Sequence, residues 1–363
     1  MREATLSCSV TVGFAQSCGL HLIAPPLWGA ETSSKLGGPV RTWLELGRRI
    51  KVWWTIFPLS RWASTFTRSG RPSTREDDDQ IKTVWHLPQE CYEEGRVPED
   101  DFNSVSSLYA LESGAALVSQ DSPETIRSKI VILLERATTL GERAPEETNN
   151  CDPSDPFWLD FYCTDNALAA FIWSLPPLQR ETQGLIGPDV SPTELVPELT
   201  FGHVMAYGAV IQLHNPLAKA GHDESRQKCF QAARGVMRVA RLILAFKHTM
   251  SVVLSVTWFV AFQVYSRELN KVTEEARNPP MISYRDSSAP GAGDLISDMT
   301  VLLTLMRRLA EIYPVVCMSL LPPCVLPGKP PLNPSCPRIA PQVTELQEWY
   351  DKHCKIDARY SLS

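Results

Sequence analysis

The segment 46–88 constrains the fold most, because it joins a long apolar helix to a polar, turn-rich stretch. Apolar residues recur at helical spacing in two sets: Trp43, Leu46, Ile50, Trp53 and Phe57, and Val52, Ile56, Leu59, Trp62 and Phe66. Two apolar stripes on different faces predict a helix that is buried on more than one side. Pro58 lies inside this pattern and removes one helical amide donor, so the sequence also predicts a kink there.

The stretch after this helix is rich in carboxylates. We expect the helix to end near Ser69, Gly70 and Pro72, and an acidic run follows from Glu76 to Asp79. Such a run could hold a hard cation, but the ligand spacing and the glycine of an EF-hand loop are absent, and two arginines are close by. We therefore interpret the run as a solvated or ion-paired loop.

Short elements between residues 48 and 88 form a recognisable pattern. They are a basic pair, an aromatic pair, an arginine that ends a hydrophobic run, Gly-Arg-Pro, an acidic cluster, an isoleucine and Leu-Pro. In this chain they read Arg48-Arg49, Trp53-Trp54, Ser60-Arg61, Gly70-Arg71-Pro72, Asp77 to Asp79, Ile81 and Leu87-Pro88.

This pattern resembles the fungal-specific transcription factor domain, the regulatory "middle homology" domain found beside binuclear zinc clusters in fungal activators. One residue departs from it, because Ser60 stands where the family usually has aspartate. The residues that carry the motif, with an expected structural or regulatory role, are Arg49, Trp53, Trp54, Arg61, Gly70, Arg71, Pro72, Asp78, Ile81 and Pro88.

The resemblance extends beyond this segment and covers roughly residues 4–320. Upstream, Phe14 to Leu22 is similar to the family's helix that ends in Gly-Leu-His. Downstream, the helical segments through about Pro314 follow the family's order and spacing. The helix over residues 4–22 begins without a cap or leader, so we expect that the chain enters the domain partway through.

The resemblance implies a nuclear regulator of RNA polymerase II transcription that is not an enzyme. The family's DNA-binding zinc cluster lies N-terminal to this domain and is absent from this chain, so zinc and DNA contacts are expected only in that missing part. Within this chain the resemblance implies no cofactor and no DNA-binding residue. The partners that it implies are the transcription machinery or co-regulators, a small-molecule effector and a second copy of the chain, with no membrane.

Length and composition agree with a large folded protein. The chain has 363 residues, 44% of them hydrophobic, which is enough for a sizeable core. Its net charge of −6 argues against nucleic-acid binding by this chain alone, which needs a clustered positive surface. No two of the ten cysteines have zinc-ligand spacing, so we interpret them as reduced thiols.

Helical patterns dominate the rest of the chain, and no strand alternation competes with them. Ser122-Pro123 is a typical helix start, and Pro176-Pro177 should stop the helix over residues 157–175, in which Trp173 is expected to face inward. Further helices are predicted over residues 197–219, 225–246, 249–272 and 294–313. The fold class predicted is thus all-α, with one domain over residues 1–320 and a proline-rich tail over 321–363 with a short helix at 341–355.

Two other classes of protein stay open at this point. Residues 249–266 carry no charge, which suits a membrane-associated helical protein as well as a buried core helix. A helical metal-dependent enzyme would use facing aspartate-rich motifs, of which Asp77 to Asp79 is the only candidate.

We find no catalytic constellation and no metal site in the sequence. His203 and His214 are near enough in phase to share a helix face, but no third ligand is placed by sequence. Arg234, Arg238 and Arg241 form a basic stripe that could touch phosphates, and we interpret it as a solvated face opposite an apolar one.

Overall fold

The computed structural model of the chain describes residues 2–24, 38, 40–67, 74–98, 103–110, 114, 116–145, 155–181, 193–246, 251, 253–277 and 291–312. The α-helices in this part of the chain are α1 (Arg2–Ser17), α2 (Trp43–Thr67), α3 (Arg75–Asp79), α4 (Gln89–Glu93), α5 (Pro123–Glu142), α6 (Pro156–Ser174), α7 (Pro197–Lys219), α8 (Asp223–Phe246), α9 (Leu254–Arg277) and α10 (Ala292–Ile312). A short 3₁₀ helix spans Ser106–Tyr109. The predicted all-α fold class is therefore confirmed.

Two three-residue strands are an addition to the predicted helices. β1 (Gln179–Glu181) pairs antiparallel with β2 (Thr193–Leu195), with Arg180 opposite Glu194. Strands this short contain too few residues to show an alternating apolar pattern, which is why the sequence did not indicate them.

The chain divides into two compact units, Met1–Ala232 and Ala233–Ser363, and the division falls within α8. The single domain predicted over residues 1–320 stays a prediction. The proline-rich tail and its short helix lie outside the described residues.

Helix α5 is the centre of the first unit. It packs along α7 and also against α2 and α6. Three quarters of the residues of α5 are buried, including Ile130 and Leu133 at 0% exposure. The approach to α7 is close at Gly141, where an added Cβ would lie 2.3 Å from the carbonyl oxygen of Gln212. A side chain at this position would push the two helices apart.

The second unit contains the pair formed by α9 and α10. Trp258 and Phe262 of α9 and Met299 and Leu302 of α10 are almost fully buried. Burial raises the pKa of the Tyr265 hydroxyl on α9, and the nearby carboxylate of Asp298 on α10 raises it further. The face of α10 that carries Leu295, Met299, Leu302 and Leu309 is thus buried, whereas Ile312 is 53% exposed.

Several helix boundaries follow from local signals in the sequence. Ser122 caps α5 as predicted, since its Oγ accepts a hydrogen bond from the amide of Thr125 at 3.2 Å. α7 spans the residues predicted for it, and α6 ends one residue before the predicted stop. α9 spans Leu254–Arg277, and residue 249, where the prediction began it, lies outside the described residues.

In two helices, some side chains that were predicted to be buried are exposed. In α2 the first apolar stripe is buried from Leu46 to Phe57, but Val52 and Leu59 of the second stripe are 44% and 56% exposed. In α6, Trp173 is 83% exposed and does not face inward. Both helices are apolar on more than one face, so periodicity alone could not decide which face is buried. α2 continues through Pro58, and the kink predicted there stays a prediction.

Candidate functional site

Three elements that are distant in the sequence meet at the side chain of Arg61 on α2. Its Nη2 donates a hydrogen bond to Oδ1 of Asp78 on α3 at 2.6 Å, and its Nη1 donates to Oε2 of Glu135 on α5 at 3.1 Å. The side chains of Arg61, Asp78 and Glu135 are only 8%, 2% and 5% exposed. The guanidinium carbon also lies 4.7 Å from the centre of the Phe57 ring. One arginine therefore ties α2 to both α3 and α5.

The next residue of α5 extends this cluster to a fourth helix. Nη2 of Arg136 donates to Oδ2 of Asp160 on α6 at 3.0 Å, and its guanidinium lies 5.6 Å from the centre of the Tyr109 ring. The Tyr109 hydroxyl is buried and has no hydrogen-bond partner among the described residues. We call the following five side chains the buried charge network, in which only Asp160, at 26% exposure, is partly open to solvent: Arg61, Asp78, Glu135, Arg136 and Asp160.

The buried charge network contains two arginines and three carboxylates, so negative charge is in excess. Burial raises the pKa of Asp78 to about 6, because Arg61 offsets only part of the desolvation and the carboxylate of Glu135 adds to it. Burial alone would lower the pKa of Arg61, but the carboxylates of Asp78 and Glu135 outweigh it and raise that pKa. Arg61 therefore stays charged, while Asp78 takes up a proton as the pH falls through about 6.

A capping box on α3 positions Asp78. The amide of Asp77 donates to Oγ1 of Thr74 at 3.3 Å, and the amide of Thr74 donates to Oδ2 of Asp77 at 2.8 Å. The acidic run was predicted to be a loop, and this is wrong, because it forms a short helix. Its carboxylates have different structural roles. Asp77 caps the helix and Asp78 is buried against Arg61, whereas Glu76 and Asp79 are exposed.

Backbone pairing joins the Gly-Leu-His region to the segment after α3. The amide of Lys82 donates to the carbonyl of His21 at 2.8 Å, and the amide of Val84 donates to the carbonyl of Ile23 at 3.0 Å. The amide of Ile23 in turn donates to Oγ1 of Thr83 at 3.1 Å. Gly19 makes the turn that precedes this pairing, with a φ of 71° that disfavours other residues.

The aromatic pair and the isoleucine of the motif pack on the same segment. Nε1 of Trp54 donates to the carbonyl of Val84 at 2.6 Å, and the Trp54 ring stacks on Trp85 with ring centres 4.2 Å apart. Trp53 and Ile81 are 0% and 2% exposed. These motif residues are therefore core residues that fix the segment against α2.

The other motif residues do not join the buried charge network. Arg49 pairs with Glu45 within α2 at 2.7 Å and donates to the carbonyl of Gly38 at 3.0 Å. Pro88 occupies the position before the first residue of α4. The Gly-Arg-Pro of residues 70–72 lies outside the described residues.

A second polar cluster lies where α6, α7 and α8 meet within the first unit, and sequence reasoning missed it. Nε2 of His214 lies 2.9 Å from Oδ1 of Asp165, and Nζ of Lys228 donates to Oδ2 of Asp165 at 2.6 Å. Nδ1 of His214 lies 3.0 Å from Oγ of Ser225, which lies 3.0 Å from Nδ1 of His222. Asp165 and His214 are 49 positions apart in the sequence, so no local signal could have revealed the cluster.

The order carboxylate, imidazole, hydroxyl in this cluster is that of a hydrolytic triad, but the geometry supports a structural role. Ser225 is 1% exposed and His214 is 2% exposed, so no substrate reaches the hydroxyl. The amide of Ser225 donates to Nδ1 of His222 at 3.2 Å, which caps the start of α8. Burial raises the pKa of Asp165, but the hydrogen bonds from His214 and Lys228 outweigh it and the pKa is lowered.

The two histidines of α7 do not share a site. His203 Nε2 lies 2.7 Å from the carbonyl of Pro176, far from the contacts of His214. In the part of the chain that the structure describes, no group of three side chains of the metal-ligating types is placed to hold a metal ion. Within the same residues, no helix has both the length and the apolar composition needed to cross a membrane.

The basic stripe of α8 is solvent-facing. Arg234, Arg238 and Arg241 are all exposed, and Arg241 also forms an ion pair with Asp298 of α10. The opposite face is buried, as the sequence predicts; its residues include Val236, Val239, Ala240 and Ile243.

Comparisons with models of protein families, with curated proteins and with solved structures found no match to this chain.

Proposed function

We propose that this chain is the regulatory domain of a fungal nuclear transcription factor that controls RNA polymerase II transcription. The supporting observation is that motif residues of α2 contact the two segments that follow it, α3 and residues 81–85. Arg61 of α2 pairs with Asp78 of α3, and Trp54 of α2 bonds to the carbonyl of Val84. Part of the resemblance thus falls on residues that pack together, whereas Arg49 and Pro88 make their contacts elsewhere.

In this proposal the domain works by binding and not by catalysis. DNA is contacted by a zinc cluster encoded upstream, while this chain receives signals from co-regulators, from a small-molecule effector or from a second copy. The sites of the zinc ions belong to that upstream cluster, so this chain needs no cofactor of its own.

The regulatory step is a shift between two arrangements of the helices around Arg61. An effector that binds one arrangement more tightly shifts the balance only by its difference in affinity. α3 is the element that moves in this scheme, because it is a single helical turn whose anchors are the Arg61 to Asp78 pair and a contact with the 3₁₀ helix. Release of α3 would uncover the Arg61 side of α2 and α5 for a co-regulator.

A tethering experiment tests the transcriptional role. The full chain is fused to an unrelated DNA-binding module in a fungal host, and transcription of a reporter with the matching site is measured. We expect reporter transcription to change several-fold, and Arg61→Met to alter that response where Lys51→Met, on an exposed position of the same helix and outside the motif, does not. A folded nuclear fusion that leaves the reporter unchanged in every variant would contradict the proposal.

Mapping the 5′ end of the transcript tests the link to DNA. We expect the transcript to extend in frame into a six-cysteine cluster with basic flanks. A transcript that starts just before the Met1 codon would argue for a co-regulator that reaches DNA through another protein.

A further inference from the structure

The outward face of α6 consists of five uncharged residues: Leu159, Tyr162, Asn166, Ala169 and Trp173. They are spaced by three and four residues, which places them in one stripe along the helix. Leu159, Tyr162 and Trp173 are 52%, 41% and 83% exposed. Beyond the first turn of α6, these are all of its exposed residues. A solvent-facing helix normally carries charged residues on this side, so the stripe has the composition of an interface.

The charged residues of α6 point the other way and are already paired. Asp160 accepts from Arg136 of α5 at 3.0 Å, and Asp165 contacts Lys228 and His214 at 2.6 Å and 2.9 Å. These contacts hold α6 against the body of the first unit. The outward face of α6 is therefore presented on a fixed helix, which lowers the entropic cost of binding to it.

We propose that the outward face of α6 binds the same face of a second copy of this chain, with the two α6 helices antiparallel about a two-fold axis at Asn166. Leu159 and Trp173 each lie seven residues from Asn166, so this axis brings Trp173 of one copy onto Leu159 of the other. Tyr162 then faces the small side chain of Ala169 in the second copy. The inference does not rest on the proposed transcriptional role.

The chemistry of Asn166 fits its place on the axis. A side-chain amide both donates and accepts hydrogen bonds, so it can pair with its own copy across a two-fold axis. A single polar residue within an apolar seam is also a common means of fixing register and orientation.

The available area suits a weak dimer. The stripe spans 14 residues, or about 21 Å of helix. Aromatic side chains bury about 150–250 Å² each, so two aromatic residues and a leucine from each copy give on the order of 1,000 Å², the lower bound of a specific interface. We therefore expect a concentration-dependent equilibrium between monomer and dimer.

Sedimentation velocity of the full chain over a concentration series tests this proposal. We expect the wild-type chain to show a reversible dimer by roughly 200 µM, and Trp173→Glu to raise the dissociation constant at least about 30-fold, the factor of a hot-spot residue. Leu159→Lys should have the same effect. Phe14→Glu on α1 changes a residue of similar exposure, 66%, outside the stripe and should leave the dimer intact.

Mixing the two variants tests the antiparallel arrangement itself. In a heterodimer of Leu159→Lys with Trp173→Glu, one contact becomes a lysine against a glutamate and the other is the native pair of Trp173 with Leu159. We expect the mixture to regain a dimer that neither variant forms alone. Circular dichroism melts check that both variants are folded, which their exposed positions favour.

Three results would overturn the proposal. They are a wild-type chain that stays monomeric throughout the series, a dimer that survives Trp173→Glu, and a mixture that stays monomeric. The first result would leave a different molecule as the occupant of the stripe, and the third would exclude the antiparallel two-fold.

Discussion

The buried charge network and the outward face of α6 are opposite exceptions to the usual placement of side chains. In the first, Arg61 and its two carboxylates lie at most 8% exposed, whereas in the second Trp173 is 83% exposed. Charges inside a protein are tolerated when they are paired, and the network supplies that pairing within the chain. The stripe on α6 instead leaves Leu159 and Trp173 more than half exposed, and large exposed apolar side chains are typical of a binding surface.

Removal of Arg61 from the buried charge network should have the largest effect on the free energy of unfolding. Arg61→Met keeps the apolar length of the side chain but leaves Asp78 and Glu135 buried without their shared cation. We expect a loss of about 3–5 kcal/mol in the free energy of unfolding, measured by urea denaturation. Arg48→Met on the exposed face of α2 should stay within about 0.5 kcal/mol. A cost below about 1 kcal/mol for Arg61→Met would mean that the network relaxes when its cation is lost.

Two aromatic residues on α6 sharpen the contrast between its faces. Phe171 is 0% exposed and Trp173 is 83% exposed, although they lie two residues apart. At a protein concentration where the chain is monomeric, we expect Phe171→Ala to lower the free energy of unfolding by about 3–4 kcal/mol and Trp173→Ala by less than about 0.5 kcal/mol. Thermal denaturation followed by circular dichroism measures both, and similar costs for the two variants would show that Trp173 supports the monomer.

The charge on Asp78 makes the stability of the first region depend on pH. The pKa of Asp78 is raised from its ordinary 3.8 to about 6 in the folded chain, so between these two pH values the folded state holds a proton that the unfolded state has released. The contribution of Asp78 to the free energy of unfolding therefore falls as the pH rises towards 6, by up to about 1.4 kcal/mol per pH unit, and is flat above it.

Asp78→Asn should remove this pH dependence. We expect the variant to lose more stability relative to wild type at pH 5 than at pH 7.5, by about 1 kcal/mol in urea denaturation. Asp79→Asn is the matched control on the same helix, because that carboxylate is exposed. Equal costs of Asp78→Asn at both pH values would contradict the raised pKa.

A substitution in the second polar cluster is expected to have the smallest effect on the free energy of unfolding. His222 contributes a helix cap to this cluster and no charge to a buried pair, so its loss should cost less than that of Arg61. We expect His222→Ala to lower the free energy of unfolding by about 1 kcal/mol, and His222→Asn to restore most of it, because asparagine also accepts from the amide of Ser225. Chemical denaturation of the two variants side by side provides the measurement. A similar loss in both variants would point to packing of the imidazole and not to the cap.

Local signals in the sequence predicted much of the fold. Ser122 with Pro123 set the start of α5, and the apolar spacing in residues 197–219 located α7. Such signals act within one helical turn or along one face, so a single stretch of sequence contains them. The two short strands and the exposure of Trp173 depend on which distant parts of the chain pack beside them. No pattern within a single stretch of sequence contains that information.

The candidate site was predicted only in part for the same reason. The motif named Arg61 and Asp78, but their shared partner Glu135 lies 74 residues from Arg61 and has no distinguishing context in the sequence. The acidic run was predicted to be a loop, because its five-residue helix is too short to show a periodic pattern. Asp165 and Ser225 were missed because only the fold brings them to His214.

The sharing of one arginine by two carboxylates also limits how this protein can change over evolutionary time. Replacing Arg61 alone leaves two buried carboxylates without their cation. Replacing Asp78 or Glu135 alone removes one of the two carboxylates that pair with Arg61. An apolar version of the same core could be as stable, but the single-substitution routes towards it pass through a variant with an uncompensated buried charge. We therefore expect changes at these three positions to occur together in the descendants of this sequence.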